Sequence, residues 1–473
     1  MTHLTRVNVV GSGPNGLAAA VLLAQAGLRV RLWEGADTLG GSVRSGPLTL
    51  PGFTHDLGSA VHPLAVSSPF FQTLPLHAFG LRWIHPEVPL AHPLPAGAAL
   101  LHRSLEQTAE GLGADAGLYR RLMTPLVERW DDLMGEFLRP LPHLPKHPVL
   151  LARFGLRALP PVALLARLFQ TQQARSLLGG LAAHSAGPLT SPASSAFALM
   201  LGGAAHARGW PFPQGGAQAL ADALSGYFKF LGGEVMLSHP VRRLRELPPA
   251  DLTLLDVGPR ALLEMADWPE HYARQLRRFR YGPGAFKVDY ALSGPLPWTD
   301  PLVGRAGTVH LGGKLTDLVR AEAAPGQNRV AAEPYVLLAQ HTLFDASRAP
   351  AGQHTVWAYA HVPNASREDA LPQLEAQIER AAPGFSRLIL KRTVSTPGTL
   401  QAWNPNLVGG DVSGGANNFW QLLARPVLSA QPYRTPLRGV YLCSASTPPG
   451  GGVHGMAGYW AARLALREGQ AGL

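Results

Sequence analysis

The chain has 473 residues, 46% of them hydrophobic, too many for one compact core, so two or three domains sharing interfaces are expected. Its 41 Lys and Arg against 31 Asp and Glu give a formal charge of +10, but no basic run with interleaved aromatics, zinc-finger spacing or RNA-recognition signature goes with it; nucleic-acid binding is disfavoured, and a diphosphate or an anionic membrane surface suits the charge better. A lone cysteine, Cys443, excludes an internal disulfide and the CxxC pair of dithiol chemistry, and points to a reducing compartment.

The first residues carry no signal-peptide apolar core, and no uninterrupted apolar run reaches the roughly 20 residues that span a bilayer, so a cytoplasmic protein is expected. Residues 7–10 read as a buried Val-rich strand running into Gly11-Ser12-Gly13-Pro14-Asn15-Gly16, followed by an Ala/Leu helix over residues 17–26. Gly11 permits the tight turn, Gly13 lets the backbone approach a pyrophosphate, and Gly16 lets helix pack on strand. The helix N-terminus offers N–H groups and its positive dipole end to phosphate. A second strand over residues 28–33 ends on Glu34, where a ribose-binding carboxylate is needed. This is the pattern of an α/β, Rossmann-like dinucleotide-binding domain.

Further on come Gly40-Gly41-Ser42-Val43-Arg44, Pro51-Gly52-Phe53 and His55-Asp56-Leu57-Gly58-Ser59. Residues 76–203 read as largely helical. Within them, residues 149–169 mix apolar side chains with Arg153, Arg157 and Arg167; a buried helical pair and a membrane-facing one both explain this, burial being favoured. Pro213-Gln214-Gly215-Gly216 precedes a helix over residues 217–231 and a strand toward Val241. Residues 265–426 are mixed, with alternating runs at 284–292, 335–341 and 354–361 that read as strands of an antiparallel sheet. No second strand-turn-helix GxGxxG occurs, so a separate NAD(P) domain is not expected. Residues 439–446 form a strand entering a turn, followed by Pro448-Pro449-Gly450-Gly451-Gly452-Val453-His454-Gly455-Met456 and a helix through Arg467.

The double-glycine and GF…D.G segments, with the C-terminal Gly-rich turn, resemble those of the phytoene desaturase-like branch of the flavoprotein amine oxidase superfamily. That group also bears the label pyridine nucleotide-disulfide oxidoreductase domain-containing; with one cysteine, the disulfide part cannot describe this chain. The resemblance implies non-covalent FAD in a discontinuous domain made of residues 1–75, 204–264 and 427–473, a helical cap over 76–203, and an antiparallel-sheet substrate domain over 265–426. It implies cofactor contacts from Gly11, Gly13, Pro14, Asn15, Gly16, Glu34, Gly35, Gly41, Ser42 and Arg44. It adds Ser59 and Ala60 near the flavin, backbone near Val241 at the adenine, Ser444 and Ala445 at the ribityl chain, and Gly452, Val453, His454 and Met456 at the flavin's pyrimidine edge. The family pattern puts Arg directly after the second glycine; here Ser42 stands there and Arg44 lies two further on.

Flavin carries hydride chemistry itself, so the missing GxSxG, HExxH and CxxC patterns do not argue against an enzyme, and no metal is expected. His62 and His454, which the resemblance brings to the flavin, either gate proton transfer or pack beside the cofactor. By the same resemblance Lys287 either reaches flavin N5 through water or, the favoured option, snorkels to the surface. His341, Trp357, Tyr359 and His361 line a pocket or form plain core. The leading expectation is an oxidoreductase acting on C–C bonds of a hydrophobic, carotenoid-like or other lipid substrate, with peripheral membrane contact open. Amine or amino-acid oxidation with O2, and a regulatory or scaffold protein with structural FAD, are the alternatives. No oligomeric state is assigned.

Overall fold

The computed structural model describes residues 4–140 and 143–471. In chain order, the elements that build and flank the site are β1 Arg6–Val10, α1 Pro14–Gln25, β2 Arg29–Trp33, β3 Val88–His92, β4 Ala99–Leu101, α2 Pro148–Ala158, α3 Val162–Leu165, α4 Gln172–Ala183, α5 Gln218–Phe230, β5 Glu234–Met236 and β6 Leu252–Leu255. There follow β7 Gly284–Leu292, β8 Ala306–Leu311, β9 Val336–Ala339, β10 His354–Val362, β11 Ile389–Ser395, β12 Val440–Leu442 and α6 Met456–Ala471.

One sheet has five strands in the order β12-β6-β1-β2-β5, all parallel. Parallel sheets need both faces covered, and the sequence meets this with Val7, Val9 and Val10 buried in β1 and with Leu17 to Ala24 of α1 almost wholly buried. Gly458 of α6 sits so close on Asn15 of α1 that a side chain there would collide with the Asn15 carbonyl. The carboxyl ends of β1, β2, β6 and β12 thus deliver Gly11, Glu34, Asp256 and Cys443 to one edge, where open α/β sheets bind ligands.

The other large sheet runs β11-β7-β10-β9-β8-β3-β4, antiparallel except for the β8/β3 pair. β7 is buried along all nine residues, so its two-residue alternation serves two cores. Phe286, Val288, Tyr290 and Leu292 join one core beneath the helix Leu371–Ala381. Ala285, Lys287, Asp289 and Ala291 face the other way, and across β10 Lys287 is opposite Tyr359 and Asp289 opposite Trp357. Trp357, Leu337 and Ala339 on that second face share a core with the cap and α1.

The region 76–203 is largely helical but also holds β3 and β4, which extend the antiparallel sheet because Val88–His92 is buried throughout and pairs with β8. The pair α2 and α3 is bent by 82° and buries only one face. Phe154, Ala158, Val162 and Leu165 are inside, whereas Leu156 is 78% and Leu168 65% exposed, with Val149, Leu159 and Leu164 also outside. Among the described residues no single helix is long and apolar enough to cross a membrane.

Candidate functional site: a dinucleotide crevice facing an aromatic wall

Sterics dictate the fingerprint turn. Gly11 has φ +93°, and a Cβ there would lie 2.7 Å from the Asp256 carbonyl oxygen. α1 begins with Pro14 in its first turn and Gly13 as N-cap, a residue with no side chain of its own to cap the helix. The double-glycine segment closes over this turn: Gly40 N–H donates to Ser12 O at 3.2 Å, and a Cβ on Gly41 would come within 2.9 Å of Gly13 Cα. Glu34 lies at the same edge, its carboxylate accepting from Ser12 N at 2.9 Å, Ser12 Oγ at 2.5 Å and Ala36 N at 2.9 Å. The chain returns beside it, His239 N–H donating to Glu34 O at 2.8 Å and Pro240 packing on Gly35, which leaves Val241 partly buried nearby.

Arg44, two places beyond Ser42, is buried; its Nε donates to Gly41 O at 2.9 Å and its guanidinium stacks on Trp403 at 4.5 Å. Burial lowers its pKa, with Glu34 and Asp37 opposing. Ser42 Oγ accepts from Asn404 Nδ2 at 3.1 Å, and Ser42 O accepts from Ser59 N at 2.8 Å, which locks Ser59 and Ala60 to the double-glycine segment. Ser444 is buried, its Oγ accepting from Ser446 N at 3.3 Å, and Ala445 packs against Gly414.

The N- and C-terminal motifs converge. Ser68 Oγ donates to His454 O at 2.6 Å, and Leu64 packs where a side chain on Gly452 would sit. His454 is buried and its Nδ1 accepts the Met456 N–H at 3.0 Å, so one ring nitrogen is committed to the start of α6. Burial pushes its pKa down to about 4. His62 is 1% exposed and edge-on to Trp83, and neither ring nitrogen has a partner among the described residues. Burial holds it near 4 too, with Asp56 opposing and Arg348 reinforcing.

Behind this segment is a buried charge network the sequence did not disclose. Asp56 accepts from Arg348 Nη1 at 2.6 Å, Ser45 Oγ at 2.7 Å and Ala217 N at 2.7 Å. Burial alone would raise its pKa, but Arg348, His341 and these donors hold it below the usual carboxylate range. Lys287 is 3% exposed and ion-paired with Asp289, whose other oxygen is 3.8 Å from His55 Nδ1. The snorkelling reading of Lys287 is therefore overturned: β7 is covered on both faces and offers its side chain no route to water. Burial pushes Asp289 up to about 6, Lys287 opposing.

An aromatic and imidazole wall crosses the same sheet face. Trp357 Nε1 donates to Gly58 O at 3.2 Å; Tyr359 packs on Trp357 at 5.2 Å and His361 on Tyr359 at 5.4 Å. His361 pairs with Glu322 at 2.8 Å, Tyr335 stacks on His361, His310 packs on Tyr335, and His184 after α4 meets His310 at 2.9 Å between Nε2 atoms. Burial lowers His184 to about 3 and His92 to about 4. His341, Trp357, Tyr359 and His361 do fall on this side of the sheet. Sequence reading missed His92, His184, His310, Asp345 and Arg348, which tertiary packing between distant segments puts in place.

Residues 9–74 match a family model described as an NAD(P)-binding Rossmann-like domain. The chain is 26% identical to pyridine nucleotide-disulfide oxidoreductase domain-containing protein 2 of Mus musculus over 97% of this chain and 93% of that protein. It is 30% identical to hydroxyneurosporene desaturase of Cereibacter sphaeroides over 61% of this chain and 64% of the relative. Wild-type putrescine oxidase with putrescine bound matches its structure with a TM-score of 0.62 at 19% identity, over 98% of both chains. The chain is similar in sequence to the first two of these proteins and shares its fold with the third.

Its fold is that of the flavin amine oxidases, and the crevice fits a dinucleotide. The N-cap of α1 is Gly13, which brings no side chain of its own to cap the helix; among the described residues Asn15 Oδ1 is buried without a partner, and so are both ring nitrogens of His62. Among the described residues no three His, Cys, Asp or Glu side chains are grouped to hold a metal.

Proposed function

We propose that this protein is an FAD-dependent oxidoreductase that holds FAD non-covalently and acts on C–C bonds of a hydrophobic, carotenoid-like or other lipid substrate. The supporting observation is the sheet face opposite the crevice. It is built of Trp357, Tyr359, Leu337 and Ala339, and its ionisable groups are paired or held neutral: Lys287 by Asp289, His361 by Glu322, and His184, His310 and His341 by burial. Such a wall recognises shape and apolar surface and offers no free charge for an ammonium or carboxylate.

Bound FAD supplies the hydride acceptor. The chain's own residues do the rest. The α1 N-terminus and Arg44 would hold the diphosphate, Glu34 would meet the ribose, and backbone near Val241 the adenine. Ser444 and Ala445 would flank the ribityl chain, and the α6 N-terminus, with His454 bonded to its first N–H, would serve the pyrimidine edge. Trp357, tied to Gly58, fixes one wall and excludes water. His62 is the group free to hold or pass a proton at its ring nitrogens. The exposed Leu156, Leu164 and Leu168, interleaved with Arg153 and Arg167, provide peripheral contact with an anionic membrane from which such a substrate is drawn.

Anaerobic reduction of the flavin is the deciding measurement. Reduction by an unsaturated or saturated polyisoprenoid lipid and not by primary amines supports this reading. Reduction by amines alone replaces it with amine oxidation, and reduction by neither marks a structural cofactor.

A further inference from the structure

The crevice contains one group that neither the fingerprint nor the resemblance accounts for. β6 pairs in parallel with β1, and Asp256, the residue after it, donates its N–H to Val10 O at 2.7 Å. Its carboxylate is thereby carried under the fingerprint turn. Oδ2 accepts the Gly16 N–H at 2.9 Å, and a Cβ on Gly13 would lie 2.7 Å from the same oxygen. An acid thus occupies the inner side of the α1 N-terminus, where phosphate oxygens of a dinucleotide gather.

Two further groups face it. Glu34 comes from the end of β2, and Cys443 comes from the end of β12, its thiol pushed well above the usual range by burial and by Asp256. Among the described residues no cation forms an ion pair with Asp256. A diphosphate arriving here adds negative charge to a site that already holds two carboxyls, and like charges at close range shift one group to its neutral form.

We propose that dinucleotide binding is proton-linked, the phosphate-bearing ligand being taken up together with one solvent proton that Asp256 carries in the complex. This rests on the reading of the crevice as a dinucleotide site. In the neutral form one carboxyl oxygen keeps the Gly16 N–H while the O–H donates to a phosphate oxygen; no other bond changes. The free protein is already poised for this: burial raises the Asp256 carboxyl to about 7, with the Gly16 N–H opposing and Glu34 reinforcing. Below that pH the proton is in place before the ligand arrives. Above it, each pH unit weakens binding toward tenfold until the higher pKa of the complex is reached.

The test uses the full chain stripped of flavin, titrated calorimetrically with FAD and with ADP-ribose from about pH 5.5 to 8.5, in buffers of different ionisation heat. The diester phosphates of both ligands stay ionised throughout, so they contribute no slope. The expected result is a Kd that is flat at the acid end and rises toward tenfold per unit above about pH 7, with about one proton taken up per ligand at pH 8. Asp256→Asn keeps an acceptor for Gly16 and is expected to bind with a flat Kd and no proton uptake. A flat Kd without proton uptake in the wild type overturns the linkage while leaving the dinucleotide site standing, and so does an unchanged slope in Asp256→Asn. Failure of both ligands to bind at any pH rejects the dinucleotide reading and the linkage together. The wild-type proton count decides the matter even where the variant does not fold.

Discussion

Arg348 Nη1 donates to Asp56 Oδ2 at 2.6 Å and joins two segments 292 residues apart in the chain, both side chains being withdrawn from water. The same guanidinium binds Asp345 at 3.1 Å and Pro213 O at 2.7 Å, so it ties the segment around Asp56 to the stretch between β9 and β10 and to the approach of α5. Arg348→Met should leave two buried carboxylates uncompensated and cost about 3 to 5 kcal/mol in urea unfolding. Asp56 has its folded pKa depressed, so its contribution is present above the ordinary carboxylate range and is lost as pH falls from there through the lower folded value. The wild type should therefore lose its advantage over Arg348→Met as unfolding is measured at progressively more acid pH. An equal gap at pH 7 and in strong acid would show that Arg348 acts by packing alone.

His62 and His454 separate into different roles. His62→Ala should slow flavin reduction by about 10²-fold while leaving FAD bound, because its ring nitrogens are free and the adenosine contacts are elsewhere. With a pKa near 4, its neutral form prevails above about pH 5, so the His62-dependent part of the rate should be flat across neutral pH. His454→Ala should instead remove the acceptor of the Met456 N–H and cost about 1 kcal/mol of stability, with a small effect on reduction. Stopped-flow reduction beside thermal melts of each variant separates the two.

Lys287→Met leaves Asp289 buried and unpaired. Asp289 already has a raised folded pKa, so its ionisation opposes folding as pH rises from the unfolded carboxylate value through about 6. Without Lys287 that penalty grows, and the variant should gain Tm relative to the wild type as pH is lowered from 8 toward 5.5. A constant difference in Tm across this range would mean that the pair contributes no electrostatic coupling.

Leu156→Asp combined with Arg153→Glu should abolish flotation with vesicles containing anionic lipid, while turnover of detergent-dispersed substrate persists. Wild-type flotation should weaken as salt is raised, the arginines being exposed and screened. Equal flotation of wild type and variant would remove this face from membrane contact.

Much of the crevice was legible because it is local. Gly11, Gly13 and Gly16 answer to contacts within a turn and its neighbouring strand, and Glu34 follows from strand length. The strands of the antiparallel sheet showed themselves by alternation. What stayed hidden depends on partners distant in sequence. β6 is too short to announce itself, so Asp256 went unnoticed beneath the turn. Lys287 read as a surface lysine because nothing in its neighbourhood says that β7 is covered on both faces. The burial of one face only of α2 and α3 follows from the helices beneath them, and the chain's own periodicity is the same for a core pair and a surface pair.

The parallel sheet carries a consequence for how the molecule is made. Its central strand, β1, leaves the ribosome about 430 residues ahead of its outer strand β12 and helix α6, and α6 packs on α1. The fingerprint turn must therefore wait through the synthesis of all the intervening chain without the strand and helix that complete its surroundings. Capture of a dinucleotide becomes a step that follows the synthesis of α6, and nascent chains halted before residue 440 leave the face of the apolar helix α1 that α6 covers open to chaperones.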